Sequence, residues 1–154
     1  MPDHPGATLP SPTHLPPETH GAHTQTCSCT FSGRADQVPR VRVFLARVLD
    51  GCPAAADAVL MADELATNAV LHSRSGRDGG MFTVHVEVCE RAWLRVSVQD
   101  EGGLAPPLLR ASSHPGSADG GRGLRIVSAL SDTWGVTGDV TGRAVWFQRA
   151  WESG

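Results

Sequence analysis

The chain contains no lysine: all 13 of its basic residues are arginine. That absence excludes a lysine-based P-loop, and no GxxxxGK[ST] occurs, so any phosphate chemistry must fall to arginine and backbone amides. Long apolar runs are also missing. None approaches the roughly 20 residues needed to cross a bilayer, which makes the expectation a soluble chain. No charged amino-terminal segment leads into an apolar stretch, so no secretory signal is read and a cytoplasmic location is expected. An excess of positive charge is lacking as well. The formal net charge is −3, which argues against a general nucleic-acid binder, because neutralising phosphates needs a basic surface. The four cysteines, Cys27, Cys29, Cys52 and Cys89, form neither a CxxC pair nor a zinc-ligand pattern. They are expected to be free, reduced thiols.

What is present is ordinary globular composition. With 154 residues, 40% of them hydrophobic and 19% charged, the chain suits one domain able to bury a core without staples. Residues 1–26 are the exception, rich in proline, histidine and threonine and nearly devoid of large apolar side chains. Such a segment cannot bury enough surface to offset its ordering entropy, and a disordered tail is expected there, followed by one domain over 27–154. The histidines His4, His14, His20 and His23 are irregularly spaced on a proline-broken chain and give no preformed metal site.

From Cys27 the pattern changes. CSCTF reads as a short strand, and VPRVRVFLARVL as an amphipathic helix with Val41, Phe44, Leu45, Val48 and Leu49 at helical spacing, closed by Gly51 and Pro53. AAADAVLMADELATNAVLHS predicts a second, longer helix, stopped by SRSGRDGG. MFTVHVEV and AWLRVSVQ alternate apolar and polar residues with a period of two, and the short CERA turn between them predicts an antiparallel hairpin. A loop rich in Gly, Pro and Ser follows over about 101–120. GRGLRIVSALS then reads as a third helix, with strand candidates around 134–136 and 143–151. Helices first, then strands with a helix among them, imply an α+β fold: a two-layer α/β sandwich with a largely antiparallel, mixed sheet and helices on one face.

Three stretches carry candidate chemistry. ELATNAVLHS places Glu64, Asn68 and His72 one helical turn apart on one side, with Val59, Ala62, Ala66 and Val70 on the packed side. Leu60, Met61 and Leu65 surround the polar row, and a polar group in such a setting needs a partner. Taken by itself, the row is also readable as the surface of an alanine-rich helix. SVQDEGG puts Asp100 at a strand end before Gly102 and Gly103, a pattern shared with simple turns. ADGGRGL puts Gly120, Gly121 and Gly123 at a helix start, where unpaired amides and the helix dipole attract phosphate.

Taken in order, ELxxNAxxH on a helix, DxG after a strand and GxGL opening a later helix resemble the GHKL family of ATP-binding domains. The likeness is to the small anti-sigma-factor serine/threonine kinases and their histidine-kinase-like relatives, and it extends over about residues 27–151. It implies the GHKL fold, with ATP between the helices and the sheet. Glu64 resembles the general base, Asn68 the residue that holds the Mg2+ ion bridging the phosphates, and Asp100 the carboxylate that accepts from the adenine amino group. Gly102 would let the backbone approach the base, and Gly121, Arg122, Gly123 and Leu124 would meet the phosphates at the helix start. Arg122 is more readily read as a solvent-exposed arginine, and His72 as a residue interacting with the last carbonyls of its helix. The implied partners are a sigma factor and an antagonist protein whose serine is phosphorylated; monomer and homodimer both remain open. The pattern departs from the family's DxGxG at Leu104, which stands where the second glycine is expected, and the lid over about 104–120 is short. A non-catalytic binding module of the same fold is therefore the second reading.

Overall fold

Period-two alternation builds the centre of the sheet. In the computed structural model, which describes residues 23–89, 92–103 and 122–152, strands β2 (Met81–Cys89) and β3 (Trp93–Asp100) form the expected hairpin. Strand β1 (Thr24–Ser32) pairs on the outer side of β2, and β5 (Gly142–Ala150) pairs with β3. Strand β4 (Thr133–Asp139) completes a five-stranded sheet in the order β1-β2-β3-β5-β4. Every one of these pairings is antiparallel. Because β5 sits between β3 and β4, the two strands at the centre of the order after β2 are brought together only by tertiary folding.

Helices α1 (Val38–Val48), α2 (Ala55–His72) and α3 (Arg122–Leu130) cover one face. That face presents Phe82, Val84, Val86 and Val88 from β2, Leu94, Val96 and Val98 from β3, and Val145 and Phe147 from β5, all buried. Burying each such side chain contributes about 1.5–3 kcal/mol before entropy is counted. Phe31 stacks on Phe82 with ring centroids 5.5 Å apart and meets Phe44 edge-on at 6.1 Å, which ties the edge strand β1 to α1. The other face is polar. There the Thr30 and Thr83 hydroxyls share a 2.9 Å hydrogen bond across β1 and β2, and the Arg95 guanidinium lies 4.5 Å from the centre of the Trp146 ring.

Two expectations need correction. Strand β1 begins at Thr24, before Cys27, because Thr24, Gln25 and Thr26 pair with Cys89, Val88 and Glu87 of β2. Main-chain hydrogen bonds to an existing strand hold polar residues that composition assigned to the tail. The packed side of α2 is also rotated from the expected Val59, Ala62, Ala66 and Val70. The buried residues are Ala58, Met61, Ala62, Leu65, Ala66 and Ala69, with Val59 and Val70 only half-buried. Helix α2 packs against α1, α3 and β3 at once, and a helix with neighbours on three sides buries a wider stripe than one lying on a single surface. Met61 and Leu65 consequently point into the core, leaving Leu60 exposed beside the polar row. The rest of the expected tail, residues 1–22, and the loop over 104–120 lie outside the described residues.

The exit of α2 is cramped. Ser75, fully buried, sits in a short 3-10 turn (Arg74–Gly76), and a Cβ placed on Gly33 would lie 1.5 Å from the Ser75 carbonyl oxygen. Backbone on both sides cannot yield as a flexible side chain would. Gly33→Ala is expected to destabilise the fold by roughly 2–3 kcal/mol, read as a lower urea midpoint, which is the upper range for overpacking.

Candidate functional site

Helix α2 carries Glu64 and Asn68, both half-buried, and exposed His72 at its last position. At 1.5 Å rise per residue, each step of this row is about 6 Å along the axis. On the flank toward α1, Asp63 accepts from Arg42 at 2.7 Å and its carbonyl accepts from the Thr67 hydroxyl at 2.8 Å.

The row ends against the Asp100 loop. Beyond His72, the Ser73 hydroxyl donates back to the Ala69 carbonyl at 2.6 Å and accepts the Ser75 N–H at 3.0 Å, which folds the chain into its tight turn. From that turn the Arg74 N–H donates to the Gly102 carbonyl at 2.8 Å, and the Ser75 Oγ accepts the Glu101 N–H at 3.0 Å. The His72 carbonyl itself lies 3.7 Å from where a Gly103 Cβ would stand. Two hydrogen bonds and this contact thus join the end of α2 to the end of β3.

A third element closes the loop from the opposite side. The Gly103 N–H donates to the Val140 carbonyl at 3.0 Å, between β4 and β5. Gly102 has φ +76°, and a Cβ there would stand 2.3 Å from the Val140 oxygen, so only glycine fits. Arg143 of β5 is 7% exposed and donates from Nη2 to the Gly103 carbonyl at 2.7 Å. It lies opposite Asp100 in the β3–β5 register.

Asp100 is half-buried, with Oδ1 accepting the Gly102 N–H at 2.6 Å. Burial pushes its carboxyl above the ordinary aspartate range; the Gly102 N–H, the Arg143 charge and the Arg143 backbone N–H oppose the rise, and Glu101 adds to it. A carboxylate held this way is an acceptor in a partly dry setting, suited to an amino donor.

The remaining expected residues stand as follows. Arg122 opens α3 and Gly123 follows it, with their side chains outside the described residues, as is Gly121. Leu124 is 3% exposed, its side chain committed to the core, so any contact it makes with a ligand is through its backbone. Helix α3 packs on α2. The structure therefore joins the Asn68–His72 end of α2 to Asp100 and Gly102 through the clamp, and sets α3 against the same helix. Ser75 and Arg143 were not singled out from sequence. Ser75 sat inside a stretch read only as a helix stop. Arg143 did carry a signal, since it shares the inward phase of β5 with Val145 and Phe147.

Because the folded state raises the Asp100 pKa, it binds the proton more tightly than the unfolded chain, and this group lowers stability as pH climbs through the unfolded value of 3.8 and then the folded one. Asp100→Asn keeps an oxygen for the Gly102 N–H without the charge. It is expected to melt at the same or a higher temperature than the unaltered chain at pH 7, with the difference vanishing below about pH 3.5. Thermal melts across that range check it.

No curated protein matches the chain. Among solved structures, the RsbU and RsbW domains of Rv1364c from Mycobacterium tuberculosis match with a TM-score of 0.61 at 19% identity, covering 82% of this chain and 32% of that one. The chain thus spans about a third of that structure's length, and the likeness is one of fold. The Histidine kinase-like ATPase domain matches residues 31–149. That match takes in α1, α2, the last two residues of β1, and the Asp100 loop with its clamp, and by it the chain belongs to the histidine kinase-like ATPase family.

Proposed function

We propose that the chain binds ATP with Mg2+ and is an anti-sigma-factor serine/threonine kinase that transfers the γ-phosphate to a serine of an antagonist protein. The observation that carries the nucleotide part is the clamp between the α2 exit and the Glu101–Gly103 backbone. It sets the order of the groups along α2: the Asp100 loop at the His72 end, Asn68 about one turn from that end, and Glu64 about one turn further. A nucleotide with its base at Asp100 and its phosphates extending along α2 would meet these groups in the sequence that phosphoryl transfer requires.

The donor set fits the ligands. Asp100 accepts, as the exocyclic amino group of adenine requires and the carbonyl at the matching position of guanine does not. Asn68 supplies an amide oxygen for Mg2+. Among the described residues no group of three or more His, Cys, Asp or Glu could hold a metal alone, which suits an ion held mainly by phosphate oxygens and water. When bound, the ion would neutralise charge on the phosphates. Glu64 would accept the proton of the attacking hydroxyl, and the backbone amides at the start of α3 would face the phosphates.

The choice of a protein serine as acceptor, and of a sigma factor as the protein held, rests on the family resemblance and on the fold shared with the RsbU and RsbW domains of Rv1364c. Leu104 in place of the second glycine favours a second reading, a binding module without turnover. Calorimetry with ATP and Mg2+ should give saturable binding, and no heat at millimolar nucleotide would remove the nucleotide reading altogether. With labelled ATP and candidate antagonists, Glu64→Ala is expected to cut transfer by at least about 100-fold while ATP affinity stays within about threefold. Binding without transfer by the unaltered chain toward every antagonist tried would leave the module.

A further inference from the structure

A buried arginine is a costly residue for a sheet interior. On β5 the inward positions are Arg143, Val145 and Phe147, all buried, and an apolar side chain at the first of them would cover the same surface without desolvating a charge. The placement of that guanidinium is specific. It donates to the Gly103 carbonyl at 2.7 Å, stands opposite Asp100 in the strand register, and lies where a Gly103 Cβ would come within 3.4 Å of Nη2. Its carbonyl partner is the peptide next to Gly102, whose N–H holds Asp100 Oδ1. One side chain therefore touches the loop that aims the carboxylate and supplies the opposite charge beside it.

We propose that Arg143 is a positioning residue for Asp100, fixing the Gly102–Gly103 backbone from β5 and holding the carboxylate in the ionised, accepting form that adenine recognition needs. The inference rests on the nucleotide reading above and adds to it a residue and a regulation by pH. Among the described residues, the charged or titratable groups on the elements that meet the Asp100 loop are Arg143 from β5, Glu101 beside it, Arg74 and His72 at the exit of α2, and Asp139 at the end of β4. Of these, Arg143 is the charge that lowers the Asp100 pKa and Glu101 the one that raises it, on top of burial. Without the guanidinium charge the carboxyl would gain its proton at higher pH. A protonated oxygen is a poorer acceptor for an amino donor, so affinity would fall as pH drops, starting at a higher pH than in the unaltered chain.

The test uses the full chain with three substitutions. Arg143→Met removes charge and donor, Arg143→Gln keeps a donor for the Gly103 carbonyl, and Arg143→Lys keeps the charge. Folding is verified by circular dichroism. ATP affinity is measured from pH 5.5 to 8 and expressed as the ratio of variant to unaltered chain at each pH, which cancels titration of the nucleotide. Independently of nucleotide, the Asp100 carboxyl is titrated by carbon-13 NMR. Arg143→Met is expected to bind ATP roughly tenfold more weakly at pH 8, with the ratio worsening toward pH 5.5. Its Asp100 midpoint should move up by about one unit or more. Arg143→Gln should share the shifted midpoint, and Arg143→Lys should restore the original pH profile. A folded Arg143→Met chain with unmoved ATP affinity and an unmoved Asp100 midpoint overturns the proposal, as would variants that all fail to fold, which would make Arg143 purely structural. An unaltered chain that binds no ATP sinks the nucleotide reading instead, and the NMR titration still decides whether Arg143 governs Asp100.

Discussion

Everything at the candidate site depends on the clamp that ties the exit of α2 to the end of β3. Two hydrogen bonds from the Arg74–Ser75 turn reach the Gly102 carbonyl and the Glu101 N–H. Neither Arg74 nor Ser75 is among the residues expected to touch a ligand. Their effect is geometric: the end of a helix that carries a polar row is tied to the end of the strand that carries Asp100, 28 residues on from His72. A helix lying on a sheet can slide and rotate with modest loss of apolar contact, since hydrophobic burial is not directional. Backbone hydrogen bonds in a buried turn are directional, and breaking them leaves donors unsatisfied at a cost of about 1–3 kcal/mol each.

The site is also where the fold departs from its own stability rules. Asp100 is half-buried with its pKa pushed up by burial, and Arg143 occupies an inward position between strands otherwise lined by valine and phenylalanine. Gly102 takes a left-handed conformation in a space that admits no Cβ. Each feature is unfavourable alone. Together they compensate: the arginine's charge opposes the desolvation of the carboxylate, and the glycine lets the backbone amide reach it. Exceptions of this kind, grouped in one place within an otherwise conventional core, are where function is expected.

Much of the fold was readable because its signals are local. The alternation Phe82, Val84, Val86, Val88 against Thr83, His85, Glu87 can serve only a strand with one buried face, and α1 and α2 carry helix formers between clear stops. The inner stripe of α2 was misplaced by a residue because alanine, at Ala58, Ala62, Ala66 and Ala69, is small enough to fit against any neighbour and marks no side strongly. Thr24 to Thr26 were missed because an edge strand held by main-chain pairing needs no apolar pattern. Arg143 was legible in principle as a charge on the inward phase of a strand. What it faces was not, because its partner on β3 is more than 40 positions earlier.

By itself, then, the sequence determined the element types, their order, and the ordered triple of Glu64–Asn68, Asp100 and the Gly121–Gly123 helix start, since spacing along a helix or strand dictates which side chains share a face. Only the tertiary structure decided that β5 lies between β3 and β4, that Ser75 and Arg74 tie the exit of α2 to the Asp100 loop, and that a buried arginine stands opposite Asp100. Those are contacts between residues distant in the chain, and no local periodicity encodes which strand will lie next to which or which donor will meet which carbonyl.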